Sequence, residues 1–394
     1  MNSNLKNLKT ELNLELQSIL SYWMENTLDE KNGGFVGQID YNNNTNDKAE
    51  KGSVLNARLL WTFSAAYKIS KSEEHLNTAK RAFEYISEHF YDTEFGGIFW
   101  SLNYDGTPKD TKNQIYALSF VIYGLSEYYS VSKDQKSLEL AIALYTKIQE
   151  YSYDADKGGY LEAFTRDWQP IDDLRLSEKD ANEKKTMNTH LHIVEGFANL
   201  YTVWKDESLR KVIIELLATI EKYFINTETG HLRLFFNENW LEKKDVISYG
   251  HDIEAAWLLL QCAEIVEDSA LIASYKKHAI QMADATKEGI DHDGGLWYEY
   301  DPQTNQLMAE KHWWPQAELI IGYFTAWQLS GKQEYLDIVF KNWDFTKKHI
   351  IDKENGEWFW GVLSDYSTIK NDKAGFWKCP YHNSRACIEL IHRL

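Results

Sequence analysis

Two short segments of the sequence place a histidine close to a glutamate at helical spacing. In Tyr249–Trp257, Gly250 marks the start of a predicted helix, and His251 and Glu254 share one face because they are three residues apart. A carboxylate that accepts an imidazole proton fixes the tautomer and leaves the other ring nitrogen free to act as a base. We therefore interpret His251 as a general base oriented by Glu254. A histidine that caps its own helix is the simpler alternative.

The segment Met187–Gly196 is the second of these. On a helix, Asn188, His192 and Glu195 lie on one face at positions i, i+4 and i+7. His190 and His192 then point in widely different directions, whereas a His-x-His metal pair requires a strand. We therefore expect no metal ion at this segment.

A third cluster lies in Phe376–Arg385, near the end of the sequence. Pro380 marks a loop that leads into a helix, and His382 and Asn383 stand at the start of that helix. Trp377 precedes the helix in the same loop. This pattern predicts another histidine at a helix N-terminus, with an aromatic ring nearby.

Charged and aromatic residues in other segments fit a sugar site. Arg58 interrupts an otherwise apolar helical pattern, and a buried cation needs an acceptor, for which a sugar oxyanion is suitable. Trp313 and Trp314 stand where a helix begins, Glu318 follows one turn later, and Tyr116 is predicted to face inward. Aromatic residues make up 14% of the chain, and the apolar face of a pyranose stacks on such rings. Large rings that fill a core explain this composition equally well.

A recurring turn indicates how these residues are positioned. An acidic or polar cluster leads into glycine and then into an aromatic or apolar run. The anchoring glycines are Gly33, Gly96, Gly158, Gly230, Gly294 and Gly356, separated by 63, 62, 72, 64 and 62 residues. A period of this length accommodates two helices of about 20 residues and their connections.

The segments between the turns carry apolar residues at helical spacing. They are Leu55–Ile69, Gln114–Tyr129, Thr189–Trp204, Ile253–Val266 and Leu319–Leu329. Helix pairs in one continuous six-fold period predict an all-α fold, a closed (α/α)6 barrel with short β-hairpins at one rim. No linker breaks the period, so we predict a single catalytic domain over residues 1–394. An open helical solenoid is the alternative.

Composition excludes several classes of function. The formal net charge is −18, so a nucleic-acid backbone or an anionic membrane surface would be repelled. No apolar run reaches the roughly 18 residues that a membrane span needs, and the chain does not begin with a secretory signal pattern. Three cysteines provide no disulfide framework, which favours a cytoplasmic location.

Together, these residues favour proton abstraction next to a carbonyl. The hydrogen on C2 of an aldose is only weakly acidic, so its removal needs a base poised near neutral pH and a positive group beside the enediolate oxygen. Inversion at C2 also needs proton delivery from the opposite face, which two histidines on opposite walls would provide. A glycosidase would instead use a pair of carboxylates across the bond.

Four motifs in combination resemble the N-acylglucosamine 2-epimerase superfamily, and the resemblance covers essentially the whole chain. They read K-T-M-N-T-H-L-H, S-Y-G-H-D-I-E-A-A-W, K-H-W-W-P-Q-A-E and W-K-C-P-Y-H-N-S-R. The resemblance implies an (α/α)6 barrel that needs no metal or organic cofactor. It also implies inversion of C2 in the reducing-end sugar of β-1,4-linked disaccharides, which converts cellobiose to glucosyl-mannose and lactose to epilactose.

The resemblance further implies a role for each candidate residue. His382 would take the C2 proton of the glucose-type epimer, and His251, oriented by Glu254, would return a proton on the other face. His192 would assist ring opening and proton shuttling, and Arg58 would stabilise the oxyanion. The residues that would position the sugar are Tyr116, Asn188, Trp313, Trp314, Glu318 and Trp377.

The sequence leaves other functions open. A mannose 2-epimerase or an aldose–ketose isomerase acting on monosaccharides would use the same groups, because pocket loops decide the substrate. An (α/α)6 glycoside hydrolase and a sugar-binding protein without turnover belong to other classes. We expect a small-molecule sugar as substrate, no nucleic-acid or membrane partner, and a monomer or weak homodimer.

Overall fold

The computed structural model describes residues 3–394, which are mainly helical. The α-helices are α1 (Ser3–Asn26), α2 (Ser53–Ser70), α3 (Glu73–Tyr85), α4 (Ile115–Ser132), α5 (Gln135–Lys147), α6 (Met187–Val203), α7 (Glu207–Thr219), α8 (Tyr249–Ile265), α9 (Ser269–Thr286), α10 (Trp313–Ser330), α11 (Gln333–His349) and α12 (Tyr381–Arg393). Helices α3, α5 and α7 each continue into a wider π-helical turn.

Short strands connect the helix pairs. They are β1 (Lys51–Gly52), β2 (Tyr91–Asp92), β3 (Gly97–Leu102), β4 (Pro108–Gln114), β5 (Ala163–Phe164), β6 (Lys185–Thr186), β7 (Phe235–Phe236), β8 (Glu242–Lys244), β9 (Ile247–Ser248), β10 (Glu299–Asp301), β11 (Gln306–Met308), β12 (Lys311–His312) and β13 (Gly361–Val362). They form small antiparallel sheets in the orders β1–β3–β4–β5, β6–β7–β8, β9–β10–β11 and β12–β13, with β2 also paired to β3.

The even-numbered helices form an inner ring. Each packs against the next even-numbered helix, and α12 packs against α2, so the ring closes. The odd-numbered helices lie outside: α3, α5, α7, α9 and α11 pack on the inner helix that precedes them, and α1 packs on α12. The predicted (α/α)6 barrel is therefore confirmed. An open solenoid is excluded, because its two ends would not meet.

The inner helices are buried on every side because each contacts its neighbours in the inner ring and also the outer helices. In α2, every residue from Ser53 to Ala66 is buried, and α4 is buried in the same way over its first 14 residues. The inner helices also approach closely: a Cβ added at Gly124 would lie 2.6 Å from the carbonyl oxygen of Ala57. No helix within residues 3–394 is nevertheless long and apolar enough to cross a membrane.

The repeated turns share one backbone geometry. The anchoring glycines adopt left-handed φ angles of 78°, 74°, 71°, 83°, 92° and 79° in chain order, a conformation that residues with a Cβ rarely adopt. Each glycine donates its amide to the carbonyl at the start of its turn, as Gly33 does to Asp29 at 3.0 Å and Gly158 to Asp154 at 2.7 Å. The repeat in the sequence therefore reflects a repeat in backbone conformation.

Four of these turns are each joined by their own buried lysine to the segment that precedes the next inner helix. The pairs are Lys51–Asp29, Lys185–Asp154, Lys311–Asp291 and Lys373–Asp352. The Lys185 Nζ, for example, lies 2.8 Å from Asp154 Oδ2 and 2.7 Å from the Gly158 carbonyl. These tethers fix the segments that lead into four of the six inner helices, α2, α6, α10 and α12.

The sheets lie at the N-terminal end of the inner helices, because β1, β4, β6, β9 and β12 each run directly into one. The predicted rim of short hairpins is therefore present at this end. At the opposite rim, inner and outer helices are joined by short turns, such as the two residues between α2 and α3. Residues that precede or begin the inner helices are thus gathered at one mouth of the barrel.

Lys185→Met tests the tethers. The change leaves the largely buried Asp154 without its cation, so we expect a loss of about 2–4 kcal/mol in unfolding free energy, measured as a lower midpoint of thermal unfolding. Lys80→Met is the matched control, because Lys80 and Glu84 form an exposed pair on α3 whose loss costs at most about 1 kcal/mol. Equal midpoints for the two variants would contradict a structural role for Lys185.

Candidate active site

The candidate residues come from all six inner helices. They are Arg58 on α2, Tyr116 on α4, Asn188 and His192 on α6, His251 and Glu254 on α8, Trp313, Trp314 and Glu318 on α10, and His382 on α12, with Trp377 in the loop before α12. Each helical position lies in the first two turns of its helix. Because the inner helices start at the same rim, the fold brings these residues to one end of the barrel.

Two of the histidines are each held by a carboxylate. His192 Nδ1 lies 2.8 Å from Glu195 Oε2, and His382 Nδ1 lies 2.6 Å from Glu318 Oε1. The four side chains are at most 5% exposed. A carboxylate accepts a hydrogen bond from Nδ1–H, so in a neutral imidazole held in this way the lone pair lies on Nε2. Neither Nε2 has a hydrogen-bond partner among the described residues.

His251 is held differently from the prediction. Its Nδ1 lies 2.8 Å from the hydroxyl of Ser248, which directly precedes α8. Glu254 instead accepts a hydrogen bond from Arg385 Nη2 at 2.6 Å. The predicted His251–Glu254 pair is therefore not formed. Helical spacing allowed it, but the carboxylate turns to a buried guanidinium, which binds it more strongly than a neutral imidazole does.

The ring of Trp314 contacts both His251 and His382, with centroids 4.8 Å and 5.6 Å away. Desolvation lowers the pKa of His251 to about 3, and the charge of His192 adds to this effect. Desolvation, followed by the positive charge of Arg58, holds the pKa of His382 well below its usual range. Both imidazoles are therefore neutral near pH 7, the form in which histidine accepts a proton.

Two polar side chains retain unused hydrogen-bonding capacity. Arg58 Nη2 donates to the Tyr116 hydroxyl at 2.8 Å, its guanidinium lies 4.2 Å from the centroid of the Phe120 ring, and its Nε is buried without a partner among the described residues. No carboxylate within residues 3–394 pairs with Arg58. The buried Oδ1 of Asn188 is also unpartnered in the described chain. The Arg58 charge is therefore available to an anionic group in the site.

Aromatic rings surround these polar groups. Trp377 is half-buried, with its ring centroid 6.1 Å from that of Tyr116. The adjacent Trp313 and Trp314 face different ways. Trp313 is buried against Trp360 at 4.6 Å, whereas Trp314 is half-buried and contacts the two histidines. Trp314 and Trp377 therefore keep part of their ring surface exposed at the site, whereas Trp313 is buried against Trp360.

His190 has a structural role. Its Nδ1 lies 2.7 Å from the Thr186 carbonyl, and its Nε2 accepts the Tyr160 amide at 2.9 Å, so both ring nitrogens are used. The ring packs on Phe224, away from the ring of His192, which contacts the aromatic residues of α4. The expectation that His190 and His192 point apart is confirmed.

Arg385 is a central residue to which the sequence analysis assigned no role. Its side chain is fully buried. Its Nη1 donates to Glu195 Oε1 at 2.6 Å, and its Nη2 donates to Glu254 Oε1 at 2.6 Å and to Glu318 Oε1 at 2.7 Å. The available signal was a cation three residues after His382 on a short helix, which is too common a pattern to single out.

Glu254, Glu318 and His382 also bring three potential metal-ligand atoms within 4.8 Å of one another. Arg385 Nη2 already bonds both carboxylates. A divalent cation would have to displace a guanidinium that is held by charge-assisted hydrogen bonds. The donor set therefore suits the guanidinium better than a metal ion.

Comparison with known proteins identifies the family to which the chain belongs. The sequence profile described as N-acylglucosamine 2-epimerase (GlcNAc 2-epimerase) matches residues 33–386. The chain belongs to the N-acylglucosamine 2-epimerase family. Within the family, it is 48% identical to the cellobiose 2-epimerase of Bacteroides fragilis over 386 residues, which is 98% of each chain. It is 35% identical to that of Dictyoglomus turgidum, over 99% of this chain and 100% of the relative.

A solved structure agrees. The cellobiose 2-epimerase of Bacillus thermoamylovorans matches with a TM-score of 0.94 at 36% identity, covering 99% of this chain and 100% of that one. The family predicted from the four motifs is therefore confirmed. Membership of this epimerase family also confirms the prediction of an isomerase that acts on carbohydrates.

The protonation of the histidines can be tested directly. We expect the imidazole ¹⁵N signals of His251 and His382 to show no titration from pH 8 down to about pH 6, because desolvation keeps both pKa values below 6.5. His231 is the internal contrast. It is also desolvated, but bonds to Asp252 and Glu288 raise its pKa, so it should be protonated at pH 6.5. A midpoint near pH 6.5 for His382 would contradict the lowered pKa, and a midpoint well above pH 7 would rule out the neutral base.

Proposed function

We propose that the protein inverts C2 of the reducing-end sugar of β-1,4-linked disaccharides through an enediolate. Cellobiose would give glucosyl-mannose, and lactose would give epilactose. The observation that carries the proposal is the pair of neutral imidazoles of His251 and His382, both in contact with Trp314, near the unpaired cation of Arg58. The activity named for the relatives from Bacteroides fragilis and Dictyoglomus turgidum supports it.

His382 is the proposed base for the glucose-type epimer. Its Nε2 takes the C2 proton, and Glu318 at Nδ1 balances the positive charge that develops on the ring. Arg58 and the Tyr116 hydroxyl donate to the sugar oxygen as negative charge grows on it. These donors are in place before reaction, which keeps the cost of reorganisation low.

His251 is proposed to deliver a proton to the other face of C2. The negative charge of the enediolate raises the proton affinity of the nearby imidazoles, so His251 is protonated in the intermediate although it is neutral in the free protein. Its side chain is half-buried, and solvent can therefore supply that proton. In the reverse reaction the two histidines exchange roles. His192, held by Glu195, moves protons at the sugar oxygens during ring opening.

Space beside Trp377 supports a disaccharide as the substrate. A cavity of about 230 Å³ adjoins this residue and is also lined by Trp360, Phe376 and Asp372. Rings that stack on a pyranose, together with a carboxylate that binds its hydroxyls, provide what a second sugar unit needs. A monosaccharide would leave this cavity empty.

The arrangement of carboxylates argues against glycoside hydrolysis. A hydrolase needs two carboxyl groups placed on either side of the scissile bond. Glu195, Glu254 and Glu318 each bond to Arg385, and two of them also hold a histidine. Both oxygens of Glu195 and of Glu318 are therefore occupied by protein donors, and Glu254 bonds to Arg385 through Oε1.

Product analysis tests the proposal. After incubation with cellobiose, lactose or mannose in heavy water, we expect NMR to show the C2 epimer of both disaccharides with deuterium at C2. A ketose product would indicate isomerisation, reaction of mannose alone would indicate a monosaccharide enzyme, and free glucose from cellobiose would indicate hydrolysis. Each of these outcomes overturns the assignment, as does recovery of unlabelled sugar.

His382→Asn tests the two-base scheme. Loss of general-base assistance should lower the rate of deuterium exchange at C2 by about 10²-fold or more. His392→Asn is the matched control, because His392 lies exposed at the other end of α12 and should exchange at the wild-type rate. Wild-type exchange in folded His382→Asn would show that another group removes the proton.

A further inference from the structure

A continuous chain of hydrogen bonds joins two of the histidines beneath the site. His192 Nδ1 bonds to Glu195, whose other oxygen accepts from Arg385 Nη1 at 2.6 Å. His382 Nδ1 bonds to Glu318 Oε1, which also accepts from Arg385 Nη2 at 2.7 Å. One guanidinium therefore stands between two carboxylates that each hold an imidazole.

Other contacts hold this chain rigidly. The Tyr381 hydroxyl donates to Glu195 Oε1 at 2.5 Å, and Trp257 Nε1 donates to Glu318 Oε2 at 3.0 Å. The Arg385 guanidinium lies 4.2 Å from the centroid of the Tyr381 ring and 4.8 Å from that of Trp257. Neither the guanidinium nor the two carboxylates can turn away without breaking several contacts.

We propose that Arg385 is a positioning residue for proton transfer, which acts through Glu318 to hold His382 as a neutral imidazole with a free Nε2, and through Glu195 to orient the ring of His192. Desolvation raises the pKa of Glu318, and the charge and hydrogen bond of the Arg385 guanidinium oppose that rise. The carboxylate that the guanidinium keeps ionised accepts a hydrogen bond from His382 Nδ1–H. The inference rests on the proposed function of the same site. It adds Arg385 as the residue that sets the protonation state and tautomer of the base.

Charged groups reach the cluster from three neighbouring helices. Glu195 comes from α6, Glu254 from α8 and Glu318 from α10, so three carboxyl groups meet the single cation of Arg385. Desolvation, followed by repulsion from Glu318, raises the pKa of Glu254 to about 7. The Cys262 thiol on α8 stays neutral because desolvation raises its pKa.

The remaining titratable groups lie around the histidines. Arg58 on α2 contributes a second cation, and His251 on α8 is neutral. Desolvation raises the pKa of the phenols of Tyr116, Tyr123 and Tyr381 above their usual range, so these hydroxyls keep their protons. Arg385 is thus the cation in direct contact with the carboxylates that hold the two imidazoles.

Removing this charge raises the proton affinity of every group in the cluster. A proton taken up by His382 makes an imidazolium, which cannot accept the C2 proton. A proton taken up by Glu318 makes the carboxyl a donor toward Nδ1 and moves the imidazole proton to Nε2. Either change removes the base.

Arg385→Met and Arg385→Lys in the full chain test the proposal. In Arg385→Met, we expect the acid limb of kcat/KM for C2 exchange to move to higher pH by about one unit or more, with activity recovering as the pH rises. Lysine keeps the charge but cannot bridge three carboxylates, so Arg385→Lys should keep the wild-type limb at a lower rate. A folded Arg385→Met whose rate falls by the same factor at every pH would overturn the proposal.

Two further variants serve as controls. Arg393→Met removes a guanidinium from the same helix, but Arg393 bonds to Thr325 and Glu389, so the pH profile should not change. Glu195→Gln removes a carboxylate whose pKa is lowered and which therefore stays ionised, so His382 should titrate at lower pH than in the wild type. A shift to higher pH in Glu195→Gln would contradict the charge argument, and this variant keeps the test available if Arg385→Met does not fold.

Imidazole ¹⁵N spectra separate this inference from the proposed function, because they need no substrate. We expect the Nδ1–H tautomer for His382 in the wild type and its loss in Arg385→Met. That result in a protein that does not epimerise disaccharides would support the role of Arg385 and refute the proposed function. Epimerisation by the wild type, with unchanged spectra in a folded Arg385→Met, would refute the role of Arg385 alone.

Discussion

The contact between Arg385 and three glutamates links the chemistry of the site to closure of the barrel. The guanidinium is carried by α12, and its partners come from α6, α8 and α10. A buried cation without partners costs several kcal/mol, so the last helix finds a stable position only where these carboxylates meet it. The same carboxylates hold His192 and His382. The contacts that hold α12 in the ring are therefore made by carboxylates that also orient two of the imidazoles.

The barrel could be predicted from the sequence because its signals are local. Each turn needs a glycine at positive φ, and each helix pair needs a fixed length of chain, so glycine recurs at a nearly constant interval. The repeat is recognisable although the longest interval, between Gly158 and Gly230, is 72 residues. The loop between β5 and β6 absorbs the difference at the rim, where added length does not disturb helix packing.

The site was only partly predictable, because its histidines are marked by local pattern but most of their partners are not. His382 lies at the start of a helix that Pro380 indicates in the sequence. Its partner Glu318, however, is 64 residues away, and Arg385 binds Glu195 across 190 residues. Helical spacing also suggested Glu254 as the partner of His251. Helical spacing shows which residues share a face of one helix. It does not show that a guanidinium distant in the sequence binds the Glu254 carboxylate instead.

The fold also explains how a chain with a net charge of −18 can favour an anionic intermediate. Surface carboxylates are separated from the barrel centre by two rings of helices and are screened by water over about 10 Å. The inner helices all direct their N-termini, which carry partial positive charge, toward the mouth that holds the histidines. Arg58 adds a full charge with no carboxylate partner among the described residues. An oxyanion in the site would therefore meet Arg58 and the helix N-termini, whereas the surface carboxylates that dominate the net charge lie outside the barrel.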